Sequence, residues 1–198
     1  YILGQIHHAQ GLPGDAIRWY ETVKDVYADA AEAIDYFERK SVELDEVTIV
    51  RPGEAVELEL RHRNIEEASL QVYKVDLMTL YLREKNLANI TGVNLAGIEP
   101  ALVEMMSPGD GKDYADRSTT TSLALEDEGA YLVICRGDDL FASGLVVITP
   151  LEIEIQEHAA AGRVRINVVD HTTGMRPEQV HVKAIGSADS SFRSGDTD

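Results

Sequence analysis

Apolar and polar residues alternate with a period of two along much of the chain after residue 40. Residues 56–61 run Val, Glu, Leu, Glu, Leu, Arg, which predicts a strand with one buried face and one face in water. After turn residues around Asn64, Leu70 and Val72 continue the alternation. This part of the chain is therefore predicted to form an antiparallel sheet.

The most apolar block of the sequence spans residues 129–149. It predicts two strands, Ala130–Cys135 and Leu145–Thr149, joined by a polar turn. Both faces of each strand are apolar, so we expect each strand to lie centrally in its sheet or to be covered on both sides.

Alternation resumes after Pro150 in three short stretches. Residues 151–155 and 164–168 alternate apolar with polar side chains, and a third strand is expected near Val180–Ile185. Short strands about ten residues apart, with turns between them, are typical of a β-sandwich. A sandwich of this kind needs about seven strands, so residues 151–198 are predicted to be an incomplete domain with an unpaired strand edge.

Two stretches between the strands depart from the alternation. Apolar residues at positions 77, 80, 81 and 87 have helical spacing and predict a short helical insertion near 77–106. Residues 107–121 are polar and rich in glycine, threonine and serine, and we expect a long surface loop there.

The first 40 residues have the period of helices instead. Two helical stretches are separated by residues 11–14, a Gly-Leu-Pro-Gly run that interrupts a helix, and Asp15 is placed to cap the second. A third helix is expected to open at Asp29. The apolar residues along one of its sides are Ala30, Ala33, Ile34 and Phe37.

Several residues of the helical segment fall, in order and spacing, at the Leu-Gly, Gly, Ala and aromatic positions of a tetratricopeptide repeat: Leu3-Gly4, Gly11, Ala16 and Tyr20. His7 and Ala28 depart from the pattern, where the repeat usually has tyrosine and proline. The segment thus resembles one repeat and the first helix of another. Because a lone repeat cannot bury both of its faces, the resemblance implies the end of a longer helical array.

The chain is strongly acidic. Its 198 residues include 35 acidic and 18 basic side chains, for a net charge of −17, which argues against nucleic acid and anionic membrane surfaces because both need a basic patch. No stretch has the roughly 18 consecutive apolar residues of a membrane span, and no signal peptide is visible. The first residue is Tyr1 rather than methionine, so we expect a piece of a longer protein.

Two groups of residues are candidates for metal binding. Asp110, Asp113 and Asp116 put three carboxylates in one stretch, as Ca²⁺ favours, although a spacing of three does not match the alternating ligands of an EF-hand loop. His7 and His8 point about 100° apart on a helix, so they cannot share one ion without a third ligand. We therefore predict no metal and no cofactor, with the three aspartates as the calcium candidates.

Two further features bear on function. Arg136-Gly137-Asp138 is the integrin-type tripeptide, but it sits where a hairpin needs glycine, so a turn is the expected role and adhesion the alternative. Cys135 lies inside an apolar strand, where burial raises a thiol pKa, so we expect a structural cysteine. No phosphate-binding glycine loop, nucleophile elbow or zinc-protease helix motif occurs. No catalytic residue and no enzyme activity are predicted.

The order of motifs after residue 41 is shared with a known family. Residues 129–133 (Gly-Ala-Tyr-Leu-Val) open one strand, and residues 144–151 (Gly-Leu-Val-Val-Ile-Thr-Pro-Leu) end the next before a new strand set begins. In this order residues 41–198 resemble the macroglobulin-type domains of bacterial alpha-2-macroglobulin-like proteins. The resemblance implies an immunoglobulin-like antiparallel β-sandwich and a location outside the cytoplasm. The thioester motif of the family, Cys-x-Glu-Gln, is not matched at Cys135, so no thioester is carried over.

Together these patterns predict a mainly β chain in three parts. Residues 1–40 form a tetratricopeptide-like α-helical hairpin at the end of a longer array. Residues 41–150 form a macroglobulin-type β-sandwich with the helical insertion near 77–106, and residues 151–198 start a second, incomplete sandwich.

Three functional hypotheses follow. The first is a non-catalytic scaffold or interaction fragment of a large macroglobulin-like protein, a protease inhibitor or trap, in the periplasm or at the cell surface by resemblance. The second is an adaptor whose helical repeats bind a protein partner, with the sandwiches as spacers. The third is calcium-dependent adhesion through residues 107–117 and 136–138. A protein, proteases included, is the expected partner. Residues 151–198 are expected either to pack back on the 41–150 sandwich or to form a homodimer with the same segment of another copy.

Overall fold

The predicted helical start forms three helices, α1 (Ile2–Ala9), α2 (Pro13–Glu21) and α3 (Ala28–Glu38), in a computed structural model that describes residues 1–77, 97–185 and 192–198. These helices and the strands that follow belong to one unit, Tyr1–Val147, and the rest of the chain to a second, Ile148–Asp198. No helix among the described residues is long and apolar enough to cross a membrane.

The helices enclose a core of small and aromatic side chains that recur at helical spacing. Each is at most 5% exposed: Ala16, Tyr20, Ala30, Ile34 and Phe37. The set includes three of the four residues expected to line the third helix. The tetratricopeptide-like character of the segment stays a prediction.

Two helix starts differ from expectation. Leu12 is the N-cap residue of α2, and Asp15 lies in the first turn, where its carboxylate pairs with Arg18 at 2.9 Å instead of capping. Pro13 opens the helix because its fixed φ and missing N–H suit the first helical position. The third helix begins at Ala28 rather than at Asp29.

Eight strands follow the helices in residues 41–77 and 97–148: β1 (Ser41–Leu44), β2 (Val47–Val50), β3 (Val56–Arg63), β4 (Ala68–Val75), β5 (Leu102–Met106), β6 (Arg117–Leu123), β7 (Gly129–Gly137) and β8 (Leu140–Ile148). One sheet has the order β1-β3-β6 and the other the order β2-β8-β7-β4-β5. The strands β7 and β8 therefore occupy interior positions, as the apolar block at residues 129–149 predicts. The short strands β1 and β2 were not predicted.

The alternation in β3 has the predicted consequence. Val56, Leu58 and Leu60 are at most 1% exposed, whereas the charged residue that follows each of them is exposed. In β4, Leu70 and Val72 are fully buried. One face of each sheet is thus committed to the interior of a mainly β fold.

The two sheets approach each other at Gly137, the last residue of β7. A Cβ atom built there would lie 2.9 Å from Cγ2 of Ile65 and 3.1 Å from Cγ2 of Val42 in β1. At the edge of the sheets, the Thr121 hydroxyl of β6 donates a hydrogen bond to Glu104 of β5 at 2.9 Å. The opposite face of the five-stranded sheet has an apolar cluster of its own: Tyr73, Ala130, Leu132 and Leu145.

Two predictions for the connecting segments are wrong in part. The helical insertion near 77–106 cannot include Leu102–Met106, which is strand β5 and pairs with Ala68–Val72, and residues 78–96 lie outside the described part of the chain. The loop at 107–121 ends earlier, because Arg117–Leu123 is strand β6, paired with β3. Threonines favour strands through their β-branching. In this stretch, however, no apolar residue before Leu123 indicates which face of the strand is buried, so the pattern does not predict a strand.

The described part of the second unit holds four strands rather than the three expected: β9 (Leu151–His158), β10 (Arg163–Asp170), β11 (His181–Ile185) and β12 (Phe192–Asp196). Within the described residues they form two two-stranded sheets, with β9 paired to β10 and β11 paired to β12, both antiparallel. The residues of β12 are mostly polar and do not alternate with apolar ones, so the sequence does not predict this strand. A complete sandwich has about seven strands, and the division of the chain at residues 40 and 150 stays a prediction.

Gly4 of α1 lies directly against Tyr20, and a Cβ atom there would be 2.6 Å from the ring carbons Cδ1 and Cε1. Gly4→Ala should therefore lower the free energy of unfolding by about 1–3 kcal/mol through overpacking. Gly14→Ala in α2 is the matched control, because a Cβ atom there meets no atom within 4 Å and alanine is the better helix former. Urea unfolding followed by circular dichroism compares the variants, and equal midpoints would contradict the prediction.

Candidate functional site

One buried side-chain amide joins the helices to the sandwich. Asn64 follows β3, is 2% exposed and has a left-handed backbone with φ of 55°. Its Nδ2 donates hydrogen bonds to the carbonyl oxygens of Phe37 (2.7 Å) and Arg39 (3.4 Å) at the end of α3. Its Oδ1 accepts a hydrogen bond from the N–H of Tyr114 at 2.7 Å. The amide therefore satisfies carbonyls that a helix end leaves without partners and holds the loop before β6.

The neighbouring residue, Arg63, adds a buried charge to this junction. Its side chain is 8% exposed, and Nε and Nη2 donate to Oδ1 of Asp116 at 3.0 and 2.5 Å. Nη1 donates to the Tyr36 carbonyl oxygen at 2.5 Å, and the guanidinium carbon lies 4.0 Å from the centroid of the Tyr36 ring. The Tyr36 hydroxyl donates to Oδ2 of Asp116 at 3.2 Å. Such complete pairing is needed because an unpaired buried charge is strongly destabilising.

His62 is buried beside these two residues on the inner face of β3, with 1% of its surface exposed. Its Nε2 lies 3.1 Å from Oγ1 of Thr119, and its Nδ1 has no hydrogen-bond partner among the described residues. Burial lowers the pKa of His62 below its ordinary value; the Asp113 carboxylate opposes this effect, and Arg117 adds to it. The imidazole is therefore neutral at neutral pH, as a core position requires.

A groove of about 630 Å³ lies beside the junction, between the outer face of the three-stranded sheet and the end of α3. Four arginines are among its lining residues: Arg39, Arg61, Arg63 and Arg117. Three of the four are paired with aspartates at 2.5–3.0 Å. The groove is thus a polar surface held by ion pairs rather than a basic binding site.

The structure turns the three calcium candidates toward different partners. Asp110 accepts a hydrogen bond from the backbone N–H of Lys112 at 2.8 Å, Asp113 pairs with Arg117 at 2.7 Å, and Asp116 belongs to the Arg63 pairing. Over residues 1–77, 97–185 and 192–198, no three His, Cys, Asp or Glu side chains are grouped so as to hold a metal ion. Asp113 and Asp116 therefore act as ion-pair partners of arginines, and Asp110 accepts a local backbone hydrogen bond.

The histidine pair in α1 is also divided between two environments. His7 is half-buried, and its Nδ1 has no hydrogen-bond partner in the described part of the chain. His8 is exposed, and its ring packs edge-on against Phe37 with the centroids 4.7 Å apart. The two imidazoles differ in exposure, as their helical spacing predicts.

The tripeptide Arg136-Gly137-Asp138 spans the end of β7 and the start of the turn, because Arg136 and Gly137 are the last two residues of β7 and Asp138 lies between β7 and β8. The left-handed residue of this turn is Asp138, with φ of 53°, so the expectation that the glycine serves the turn is wrong. Gly137 is needed instead for its close approach to Ile65. The Asp138 carboxylate pairs with Lys40 at 2.7 Å, so the acidic group of the tripeptide is engaged within the chain.

The predicted burial of Cys135 is confirmed. The residue is fully buried in β7 and pairs in register with Leu70 of β4. Tyr131 and Val133, on the same face of the strand, are 4% and 0% exposed. Burial raises the pKa of the Cys135 thiol to about 11, so the group is neutral at neutral pH and a poor nucleophile.

Sequence reasoning missed the roles of Arg63, Asn64 and Asp116. The pattern marks Asn64 only as a turn residue and Asp116 only as a calcium candidate. An asparagine directly after a strand is a local signal, because asparagine tolerates the left-handed conformation. Its partner Phe37 is 27 residues away, and no local pattern predicts that contact.

Neither a protein-family model nor a curated protein sequence matches the chain. Among solved structures, native alpha-2-macroglobulin from Escherichia coli spanning domains MG0-NIE-MG1 is 12% identical, with a TM-score of 0.57 over 81% of this chain. The chain covers 58% of that fragment. A shorter fragment of the same protein, NIE-MG1, is also 12% identical, with a TM-score of 0.54 over 81% of this chain and 83% of the fragment. The chain is therefore similar in fold to macroglobulin domains, and this likeness concerns the fold alone.

The Asn64 junction yields a stability prediction. Asn64→Ala should lower the free energy of unfolding by about 2–4 kcal/mol, because it removes three hydrogen bonds and leaves a left-handed backbone that alanine disfavours. Asn64→Gly removes the same hydrogen bonds but permits that backbone, so its loss should be smaller by about 1 kcal/mol. Urea unfolding followed by Trp19 fluorescence measures both. Variants as stable as the parent would show that the amide does not hold α3.

The Cys135 thiol yields a reactivity prediction. Native protein should react with a thiol reagent such as dithionitrobenzoate only slowly, because the group is buried and neutral, whereas urea-unfolded protein should react at once. Cys135→Ser should lower the free energy of unfolding by about 1–3 kcal/mol, since the hydroxyl lacks a good partner in the apolar core. Stoichiometric labelling of the native protein within seconds would contradict this account.

Proposed function

We propose that the chain is a non-catalytic scaffold segment of a macroglobulin-like protein whose activity is to trap or inhibit proteases. The observation that carries the proposal is the likeness of fold to the E. coli alpha-2-macroglobulin fragments, which extends over 81% of the chain. The likeness covers more of the chain than one sandwich would, since residues 41–150 alone are little more than half of it.

The junction at Arg63 and Asn64 supports a scaffold role. Its hydrogen bonds connect α3, β3 and the loop before β6. The helix is therefore held against the sheet by direct hydrogen bonds rather than joined to it by a flexible link. The titratable groups found there are committed to ion pairs or buried in neutral form. This is the expected use of such residues in a segment that holds other parts in position.

The location and the partner follow from the same proposal. A macroglobulin-like protein meets its target proteases outside the cytoplasm, so we place the segment in the periplasm or at the cell surface, with proteases as the partners of the protein that contains it. The adaptor hypothesis, in which residues 1–40 bind a protein and the sandwiches are spacers, gains nothing from the likeness of fold.

Protease assays test the proposal. A trap encloses a protease and excludes large substrates, while small peptides still reach the active site. The protein in its full natural length should therefore block casein hydrolysis by trypsin or elastase and spare hydrolysis of a chromogenic peptide, and the 198-residue chain alone should leave both activities unchanged. Loss of neither activity with the full-length protein would contradict the proposal, and loss of both would indicate inhibition at the active site rather than trapping. Hydrolysis of a peptide or ester by the chain alone would contradict a scaffold.

A further inference from the structure

His62 places a group that titrates near neutral pH in the interior of the first unit. It lies on the buried face of β3 with Leu58 and Leu60, and the residue opposite it in β1 is Val42. Its Nε2 is 3.1 Å from Oγ1 of Thr119, and its Nδ1 has no hydrogen-bond partner among the described residues. The imidazole is therefore packed as a neutral core group, and a proton on it would put a charge where water does not reach.

Two charged side chains act directly on His62. Asp113 in the loop before β6 favours the charged imidazole, and Arg117, which lies opposite His62 in β6, disfavours it. These two side chains are paired with each other at 2.7 Å, so the arginine offsets the carboxylate charge that could stabilise a proton on His62. Oδ2 of Asp113 and Nδ1 of His62 are both without partners over the described ranges, so they do not hydrogen-bond to each other. The imidazolium would therefore gain a charge and an N–H donor without gaining a partner.

The other titratable neighbours of His62 do not compensate such a charge. On the inner face of β7 these are Tyr131 and Cys135, a phenol and a thiol, which gain no charge when the pH falls. The further charged residues of the adjoining strands and loop form pairs of opposite charge: Arg63 with Asp116, and Arg61 with Glu43. Carboxylates ordinarily titrate at about pH 4. Between about pH 7 and pH 5, the group in this cluster that changes its charge is therefore His62.

The loop at residues 107–116, which contains Asp113, belongs to no helix or strand. Side chains hold it in place through three contacts: Tyr114 with Asn64, Asp116 with Arg63, and Asp113 with Arg117. Segments that lack the backbone hydrogen bonds of a sheet or helix open locally at a lower free-energy cost than the core strands. This loop is therefore the element beside His62 that can open while the sheets remain folded.

We propose that His62 is an acid-sensitive switch for this loop: below about pH 6, a proton on its imidazole releases residues 107–116 from the sheet, while β3 and β7 stay paired. Burial lowers the pKa of His62 in the closed form, and contact with water in the open form returns it toward about 6.5. The open form therefore binds the proton more tightly, and the closed form loses stability as the pH falls through this range. A single proton changes the opening equilibrium by at most about tenfold per pH unit.

Hydrogen exchange followed by mass spectrometry tests the switch in the full chain. The protection of peptides from residues 107–116 is compared with that of peptides from β7 at about pH 7.5 and about pH 5.5, after correction for the intrinsic exchange rate at each pH. Between these two conditions the opening of the loop should increase about three- to tenfold, whereas that of β7 should change less than about twofold. Loop opening that does not depend on pH would overturn the proposal. Greater protection of the loop in acid would also overturn it, because the imidazolium would then bind Asp113 in the closed form.

Two histidine variants assign the effect to His62. His62→Gln removes the titrating group and keeps an amide that can hydrogen-bond to Thr119, so opening of its loop should change less than about twofold between the two pH values. His8→Gln is the matched control, because it removes an exposed imidazole from the same unit, and it should keep the full increase of the parent. Equal pH dependence in the parent and in His62→Gln would show that another group controls the loop.

An NMR titration of the isotopically labelled parent decides the question even if His62→Gln does not fold. The imidazole of His62 should titrate with a midpoint below about 6.5, and the backbone N–H of Tyr114, which donates to Asn64, should shift with the same midpoint. A midpoint for His62 at or above this value, or a Tyr114 signal that does not follow it, would overturn the proposal.

Discussion

The structure of the first unit depends on hydrogen bonds to backbone groups at the point where helix α3 ends and strand β3 stops. A helix end leaves carbonyl groups without partners, and a strand that stops must redirect the chain. Asn64 meets both requirements at once: its left-handed backbone ends β3, and its amide pairs with Phe37 and Tyr114. Because the amide is buried, water cannot replace these hydrogen bonds. If one partner is lost, the polar group that it paired with stays buried without a hydrogen bond, which is destabilising. The positions of α3, β3 and β6 are therefore coupled through one side chain.

Much of the sheet architecture could be predicted from sequence, because alternation is a local signal. The apolar residues of β3 and β4 mark their buried face directly, and the two-sided apolar pattern of residues 129–149 predicts interior strands. Strand β6 could not be found in this way, since threonine suits both a strand and a surface loop. The junction at Arg63 and Asn64 could not be predicted from the sequence, because hydrogen bonds between side chains and distant carbonyl groups follow no periodic pattern. Asp116 illustrates this, as its role depends on Arg63, which is 53 residues away.

The acidity of the chain takes a different meaning once the ion pairs are placed. In the sequence, three aspartates at a spacing of three suggest a cation site. In the fold, each of the three carboxylates has a different partner, a backbone N–H for Asp110 and an arginine for each of Asp113 and Asp116, while Oδ2 of Asp113 is buried without a hydrogen-bond partner among the described residues. The carboxylate of Asp138 is likewise paired within the chain, with Lys40. The likeness of fold to E. coli alpha-2-macroglobulin fragments at 12% identity indicates how few sequence positions this fold requires.

The burial of Cys135 has a consequence for how such a chain can be made and moved. The sequence contains one cysteine, so no disulfide within the chain has to form, and the folded thiol is neutral and out of reach of oxidants. The covalent structure of the chain is therefore the same in a reducing compartment and in an oxidising one. Its folding needs no disulfide isomerase, and its core stays the same when the redox potential around it changes.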